Sequence, residues 1–427
     1  MTNREAVSST GNQHRRTAIR GARVAVDPRE SVRASLELMG ARIASIRCDP
    51  HFLLAASKNA TEIDLSGFLI LPGLINAHDH LEFALFPRIG NPPYQNYIEW
   101  GNDIHASLPE VIAEHRSVPK ELRLWWGGIR NLLCGVTTVS HHNPFHAEFA
   151  REHFPVKVIR AYGWGHSLEL GGDLRAARLA TPDGYPFLVH ACEGVDAQSR
   201  DELWGLDRLG LLDSFAILVH GLAIDAEGVA MMRERGASLI VCPSSNSFLF
   251  GRTPNMTLLS AIENLALGSD SPLTAEGDLL DEVRFAIRCC GIPTEVAYRM
   301  VTEAPAAILR MKNSEGTLRQ AGVADLIAVR DTGEDVADRL ETLSTVDIEF
   351  VMFGGQVQLA SEGILERLPT WMKEGLEPLS IGGVVRWLRV PTRELLRKTE
   401  EVLGAGQVRL GGKQLRIPCM ASAAGAS

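Results

Sequence analysis

Lysine is absent from a long stretch of this 427-residue chain: none occurs between Lys157 and Lys312. No Lys/Arg-rich block stands out either, and 43 basic against 52 acidic residues leave a formal net charge of −9. The electrostatic footprint of a nucleic-acid binder is therefore missing. No apolar run approaches the ~20 residues needed to cross a bilayer, so no membrane span is expected. Cysteine is scarce and odd in number, seven residues without a repeated Cys-x-x-Cys spacing. That excludes a disulfide framework and fits reduced thiols in a cytoplasm. The opening residues, MTNREAVSSTGNQHRRTAIRG, carry arginines but no apolar core behind them. They are no secretory signal, and residues 1–18 read as a disordered leader. No internal repeat appears at solenoid periods.

What the chain does hold is 45% hydrophobic residues, enough for one large domain and a smaller one. Residues 19–70 read as short strands, with a hairpin over Ala34–Ile46 that turns at Gly40. An apolar run, Phe68 to Leu71, breaks at Pro72-Gly73, resumes at Leu74 and ends in His78-Asp79-His80. Side chains alternate along a strand, so His78 and His80 share one face and Asp79 takes the other. Residues 81–125 look irregular, broken by Pro87, Pro92, Pro93 and Pro109, with aromatics at Tyr94, Tyr97 and Trp100. Such a connection suits an active-site lid or a loop packed on the body.

From Glu121 the pattern alternates. Helical stretches are expected at Leu122–Leu133, Asp196–Gly210, Asp225–Gly236, Met256–Asn264 and Asp278–Cys290. Between them fall apolar strands at Gly135–Ser140, Val156–Tyr162, Phe187–His190, Ala216–His220, Ala237–Cys242 and Leu265–Asp270. Strands alternating with amphipathic helices mean a parallel sheet covered by helices. Counted from Leu69, seven of the eight strands of a (β/α)8 barrel are visible, and Trp164–Leu170 is the candidate for the missing fourth. A helix over Pro293–Met311 follows, then strands at Ala324–Val329 and Phe350–Val357. The expected fold is α/β: a TIM-like (β/α)8 barrel over 71–312, with a small β-sandwich formed by 19–70 and 313–360. The tail 361–427 reads as partly helical, with its last residues, 421–427, disordered.

The polar residues that matter close strands. His78 and His80 end the first, His190 a later one, His220 the next and Asp270 the last. In a β/α barrel those ends converge on the face that carries active sites. Taken singly, each has a structural explanation, as a rim histidine or a helix-capping aspartate. Five at consecutive strand ends do not. Imidazoles with a carboxylate suit a borderline divalent ion such as Zn2+, with Fe2+ or Mn2+ as alternatives. Glu193, three residues past His190, stands where a carboxylic acid could shuttle protons.

Leu71 to His80 resembles the first-strand signature of the amidohydrolase superfamily. His190-Ala191-Cys192-Glu193-Gly194 is similar to the His-x-x-Glu motif of its mononuclear deaminase and chlorohydrolase branch. Leu218-Val219-His220-Gly221 and Gly268-Ser269-Asp270 resemble its strand-six histidine and strand-eight aspartate, and Gly316-Thr317-Leu318 with Ala324-Asp325-Leu326 its return to the sandwich. The resemblance implies His78, His80, His190 and Asp270 as ligands of one metal ion, Asp270 also taking the proton of a metal-bound water. It implies Glu193 as the acid that protonates a ring nitrogen and His220 as the residue that orients the hydroxide or polarises the substrate. Binuclear branches use a lysine after strand four; Lys157 falls inside the third expected strand, which favours one ion. A homodimer is implied as well.

The function so implied is hydrolytic deamination, or dechlorination, of an amino-substituted nitrogen heterocycle by metal-bound hydroxide. The alternatives are hydrolysis of an amide or cyclic imide and, in another class, a non-catalytic binding protein on the same fold. Candidate substrate contacts are His141 and His142 after the second strand, Trp100 in the lid region, and Asn246 after strand seven.

Overall fold

The computed structural model describes residues 15–48 and 60–418. Most of the expected leader and the last residues of the tail lie outside them, but a strand, Arg16–Arg20, already begins within the segment read as leader.

Two parallel sheets carry the α/β part. Leu74–Asp79, Val136–His141 and Lys157–Val158 pair in that order, and Gly163–Gly165, Phe187–Ala191, Ala216–His220, Ser238–Val241 and Leu265–Leu267 pair in theirs. The strand after the third is thus Gly163–Gly165, not Trp164–Leu170. The third is only two residues long, and Lys157 opens it rather than lying at its middle. The two outer strands meet: the Asp270 amide donates to the His78 carbonyl at 3.1 Å. Helices Lys120–Leu133, Ala197–Arg208, Ala226–Arg235 and Leu279–Cys290 stand between strands, as expected. Aspartates cap three of them: Asp196, Asp225 and Asp278 accept from backbone amides of the first turn. The expected Pro293–Met311 helix is two, Thr294–Met300 and Glu303–Ile308.

A thirteen-stranded mixed sheet draws on both ends of the chain. At its middle Phe68–Pro72 pairs antiparallel with Leu326–Arg330 and parallel with Arg23–Ala25. Alternation divides the strand between two cores. Leu69 and Leu71 face the main hydrophobic core, and Phe68 and Ile70 a second core inside the mixed sheet. The hairpin at Gly40 is present. The tail read as partly helical is also a sheet component: beside helices Glu362–Arg367 and Thr392–Leu403 it adds Glu377–Ile381, Val384–Leu388, Arg409–Leu410 and Lys413–Arg416.

The region 81–125 is more regular than its prolines suggested. Helices Tyr97–Ser107 and Pro109–Ser117 fill it. Asn96 caps the first by accepting from Ile98 and Glu99 amides, and Pro109 opens the second at the position where a missing N–H costs nothing.

A buried polar network locks the outer parallel strands together. Asp79, facing away from His78 and His80, receives Arg130 Nη1 at 3.1 Å and Asn131 Nδ2 at 2.7 Å. The Asn76 side chain donates to Ser269 Oγ at 2.8 Å and accepts from the Ser269 amide at 3.0 Å. Arg130 also donates to the Gly277 carbonyl at 2.7 Å. Removing one partner of a buried pair strands the other charge. Asp79→Ala should therefore destabilise the fold by about 3–5 kcal/mol, read as a fall in the urea midpoint.

Candidate active site

Strand periodicity puts His78 and His80 on one face, and the turns after the parallel strands bring the rest to them. His78 Nε2 lies 3.2 Å from His190 Nε2 and 3.6 Å from Asp270 Oδ1. His80 Nε2 lies 3.8 Å from the same oxygen. His78, His190 and His220 form one set of converging donor atoms, and His78, His80 and Asp270 a second, each within 4.8 Å of one another. Glu193 stands beside them, its Oε2 3.6 Å from His220 Nε2. All six residues expected to carry the chemistry are thus brought together.

Three of the turns are held in an unfavourable backbone region. Cys192, His220 and Asp270 have φ of 57°, 78° and 49°, left-handed values that side chains other than glycine seldom adopt. Such strain persists only where the surroundings enforce it, and it gathers at functional sites. At Cys192 the enforcing group is Glu202, whose carboxylate accepts the Cys192 N–H at 2.6 Å and the Tyr97 hydroxyl at 3.1 Å.

The donor set fits a divalent cation. His190 Nδ1 faces the His166 carbonyl at 2.9 Å, so it carries the proton and leaves Nε2 with its lone pair toward His78. Asp270 Oδ2 is engaged by Ser245 Oγ at 2.8 Å and Thr274 Oγ1 at 3.2 Å, so Oδ1 is left for the histidine side. Burial lowers the imidazoles, His78 to about 3 and His190 well below its usual value, keeping them in the neutral form that ligates metals. For Asp270, burial opposes ionisation, but the hydrogen bond with His78 and the neighbouring imidazoles hold the carboxyl well below its usual range. Behind His80, Asn143 Nδ2 lies 3.3 Å from Nδ1 and donates to the buried Glu82 at 2.9 Å. Such outer contacts orient ligands.

Glu193 behaves oppositely to Asp270. Burial, then the charges of Asp270 and Glu202, push its carboxyl well above the usual range, which favours the protonated form. Two carboxyls driven apart in this way provide an acid and a base in one site.

A cavity of about 260 Å3 opens onto the cluster. It is lined by His80, His190, Glu193, His220 and Asp270 and, beyond them, mostly by apolar side chains. Trp100 lines it as expected, with its indole N–H donating to the Ile89 carbonyl at 3.0 Å. His141, His142 and Asn246 are not among the lining residues. The His142 ring packs 4.1 Å from that of His190 and its Nε2 meets the Gly165 carbonyl, so it supports the cluster from behind. His141 packs on Phe149 and accepts from the Leu81 amide. Asn246 is fully buried. Tyr97, from the aromatics of the expected lid region, lines it as well, and His166, which directly follows the strand Gly163–Gly165, is a lining residue not foreseen.

Glu202 offers a pH test. Burial raises its carboxyl from 4.5 to about 7. A carboxyl raised on folding adds stability that is full below its unfolded pKa and is lost as pH rises through the folded value. The melting temperature of the parent relative to Glu202→Gln should therefore fall between pH 4.5 and above 7. A constant difference would mean that Glu202 is ionised throughout.

Residues 158–358 match the model of the amidohydrolase family. A 5-methylthioadenosine/S-adenosylhomocysteine deaminase of Haloquadratum walsbyi is 26% identical over 357 residues, 67% of this chain and 77% of that protein. A protein of the same name from Pyrococcus furiosus is 24% identical over 330 residues, 62% of this chain and 76% of its own. Among solved structures, an adenosine deaminase from Xanthomonas campestris with bound zinc superposes with a TM-score of 0.67 at 18% identity, over 90% of this chain and 97% of its own. The atrazine chlorohydrolase TrzN from Arthrobacter aurescens TC1, complexed with zinc, superposes with a TM-score of 0.68 at 17% identity, over 90% and 99%. The fold is therefore of the TIM-barrel type with mixed α/β content. No helix among the described residues is long and apolar enough to cross a membrane.

Proposed function

We propose that this chain is a mononuclear metal-dependent hydrolase that removes ammonia from an amino-substituted nitrogen heterocycle, or halide from a chlorinated one. The observation that carries the proposal is the convergence of His78, His80, His190, His220 and Asp270 on one cavity with Glu193 beside them, the two carboxyls being driven in opposite directions. His78, His80, His190 and Asp270 would hold one divalent ion, most simply Zn2+. Bound there, the ion supplies an activated water at neutral pH.

The chain's own groups do the rest. Asp270 takes up the proton that the water gives up, and the proton then departs with the leaving amine. Glu193 donates its proton to the ring nitrogen next to the carbon under attack, so that the ring accepts electron density without forming an isolated anion, and it regains a proton from the adduct's hydroxyl as the carbonyl forms. His220, within reach of Glu193, orients the incoming oxygen. The names of the relatives, deaminases and a chlorohydrolase, fit a site that changes leaving group without changing parts. A single ion is supported by Lys157, whose ammonium is tied to Asp325.

In the same reading the two parallel sheets form one closed eight-stranded barrel over 71–312. Residues 19–70 and 313–360 build the sandwich beside it. The test is ammonia and chloride release by metal-loaded protein from a panel of purines, pterins, pyrimidines and triazines. Ring opening without ammonia would make it a cyclic-amide hydrolase instead, and no turnover at all would overturn the proposal.

A further inference from the structure

We infer that the substrate ring carries an apolar substituent, an alkyl or aryl group, rather than a sugar; this rests on the hydrolase reading above. The cavity has two unlike ends. One presents the imidazoles and carboxyls already described. The other is walled by Phe86, Ile89, Ile104, Ile112 and Leu273, which form a hydrophobic cluster of their own, separate from the main core. Protein interiors close-pack, so an apolar cluster arranged around open space is a chamber rather than a core. The whole cavity, both ends together, measures about 260 Å3, below the range of about 300–1,000 Å3 usual for larger ligands.

The chamber has little with which to read a diol. The Trp100 indole donates to Ile89, the Tyr97 hydroxyl is held by Glu202, and Thr274 Oγ1 is engaged by Asp270 and Ser245. Beyond Glu193 and Asp270, no carboxylate and no side-chain amide is found among the described lining residues. The Ser271 hydroxyl, next to Asp270, and the His166 imidazole, 5.0 Å from the His190 ring, belong to the reacting end. Arg116 and His105 are exposed to solvent. A ribose seated against the five apolar walls would bury hydroxyls without partners, each costing about tenfold in affinity. An alkyl chain would gain about fourfold per methylene buried.

The experiment measures binding by calorimetry and ammonia release, side by side, on the metal-loaded full chain. The ligands are aminopyrimidines and aminotriazines bearing N-alkyl chains of increasing length, and the corresponding nucleosides. Affinity should rise about fourfold per carbon until the chamber is full, and nucleosides should bind more weakly than the free bases. Leu273→Ala, which widens the chamber, should move the plateau to longer chains, and Ile104→Asn should flatten the rise. Ammonia release with no dependence on chain length, or preference for nucleosides, would overturn the inference and leave the hydrolase reading standing. A chain-length dependence without any turnover would do the reverse. No binding of any member would overturn both.

Discussion

Replacing Glu193 by glutamine should leave the metal content of the protein unchanged and lower kcat by about 10²–10⁴-fold, the range a positioned general acid supplies. Glutamine keeps the size and the hydrogen-bonding edge toward His220, but it has no acidic proton to give. The parent should also lose activity on the alkaline side, because Glu193 donates only while protonated, and burial extends that state upward in pH. The variant's residual rate should lack that limb. Metal analysis, steady-state kinetics and a pH profile on the same preparation decide the matter. If the metal left with the carboxyl, Glu193 would be a ligand and its assignment as the acid would be wrong.

His78→Ala should lose the metal itself. His78 is the one residue shared by both converging donor sets, and it is fully buried between His80 and His190. Outer contacts to ligands cost about 10–100-fold in metal affinity when removed, and a shared ligand should cost more. Elemental analysis after gel filtration should show occupancy falling from near one ion per chain to near zero. Circular dichroism should remain that of a folded protein, since the strand is anchored by the hydrogen bonds of Asn76 and Asp79. Unchanged occupancy would mean that the ion sits elsewhere.

The site was legible because its residues close strands whose patterns are strong. Phe187–Ala191 and Ala216–His220 are wholly buried, and an unbroken apolar run ending in histidine shows in the sequence without help. The fourth parallel strand was legible only in part, for a steric reason: its expected place, Trp164–Leu170, overlaps Gly163–Gly165 but starts one residue late and runs five too far. A Cβ at Gly163 would lie 1.7 Å from Thr181 Oγ1, and one at Gly165 2.2 Å from Leu174 Cδ2. Close approach demands glycine there, and glycine erases the hydrophobic pattern by which strands are read. His166 was passed over with it. The helices of 97–117 were hidden by counting Pro109 as a breaker when it is a helix opener, and by missing Asn96 as a cap. His141 and His142 show the limit of reasoning from position. Both are near the end of the second strand, yet one ring nitrogen of each meets a backbone group and neither residue lines the cavity.

The strand Phe68–Pro72 links this site to the order in which the chain is made. Its antiparallel partner, Leu326–Arg330, lies some 250 residues further on. On the ribosome, five consecutive buried residues, FLILP, therefore emerge early and wait for most of synthesis before that edge is covered. Pairings so distant in sequence fold slowly, and an uncovered apolar edge is open to the wrong partner meanwhile. Truncation ahead of Leu326 would thus strike at the segment that delivers His78 and His80, however far from the cavity the cut is made. Yield of soluble protein, more than stability once folded, is where such damage would first be felt.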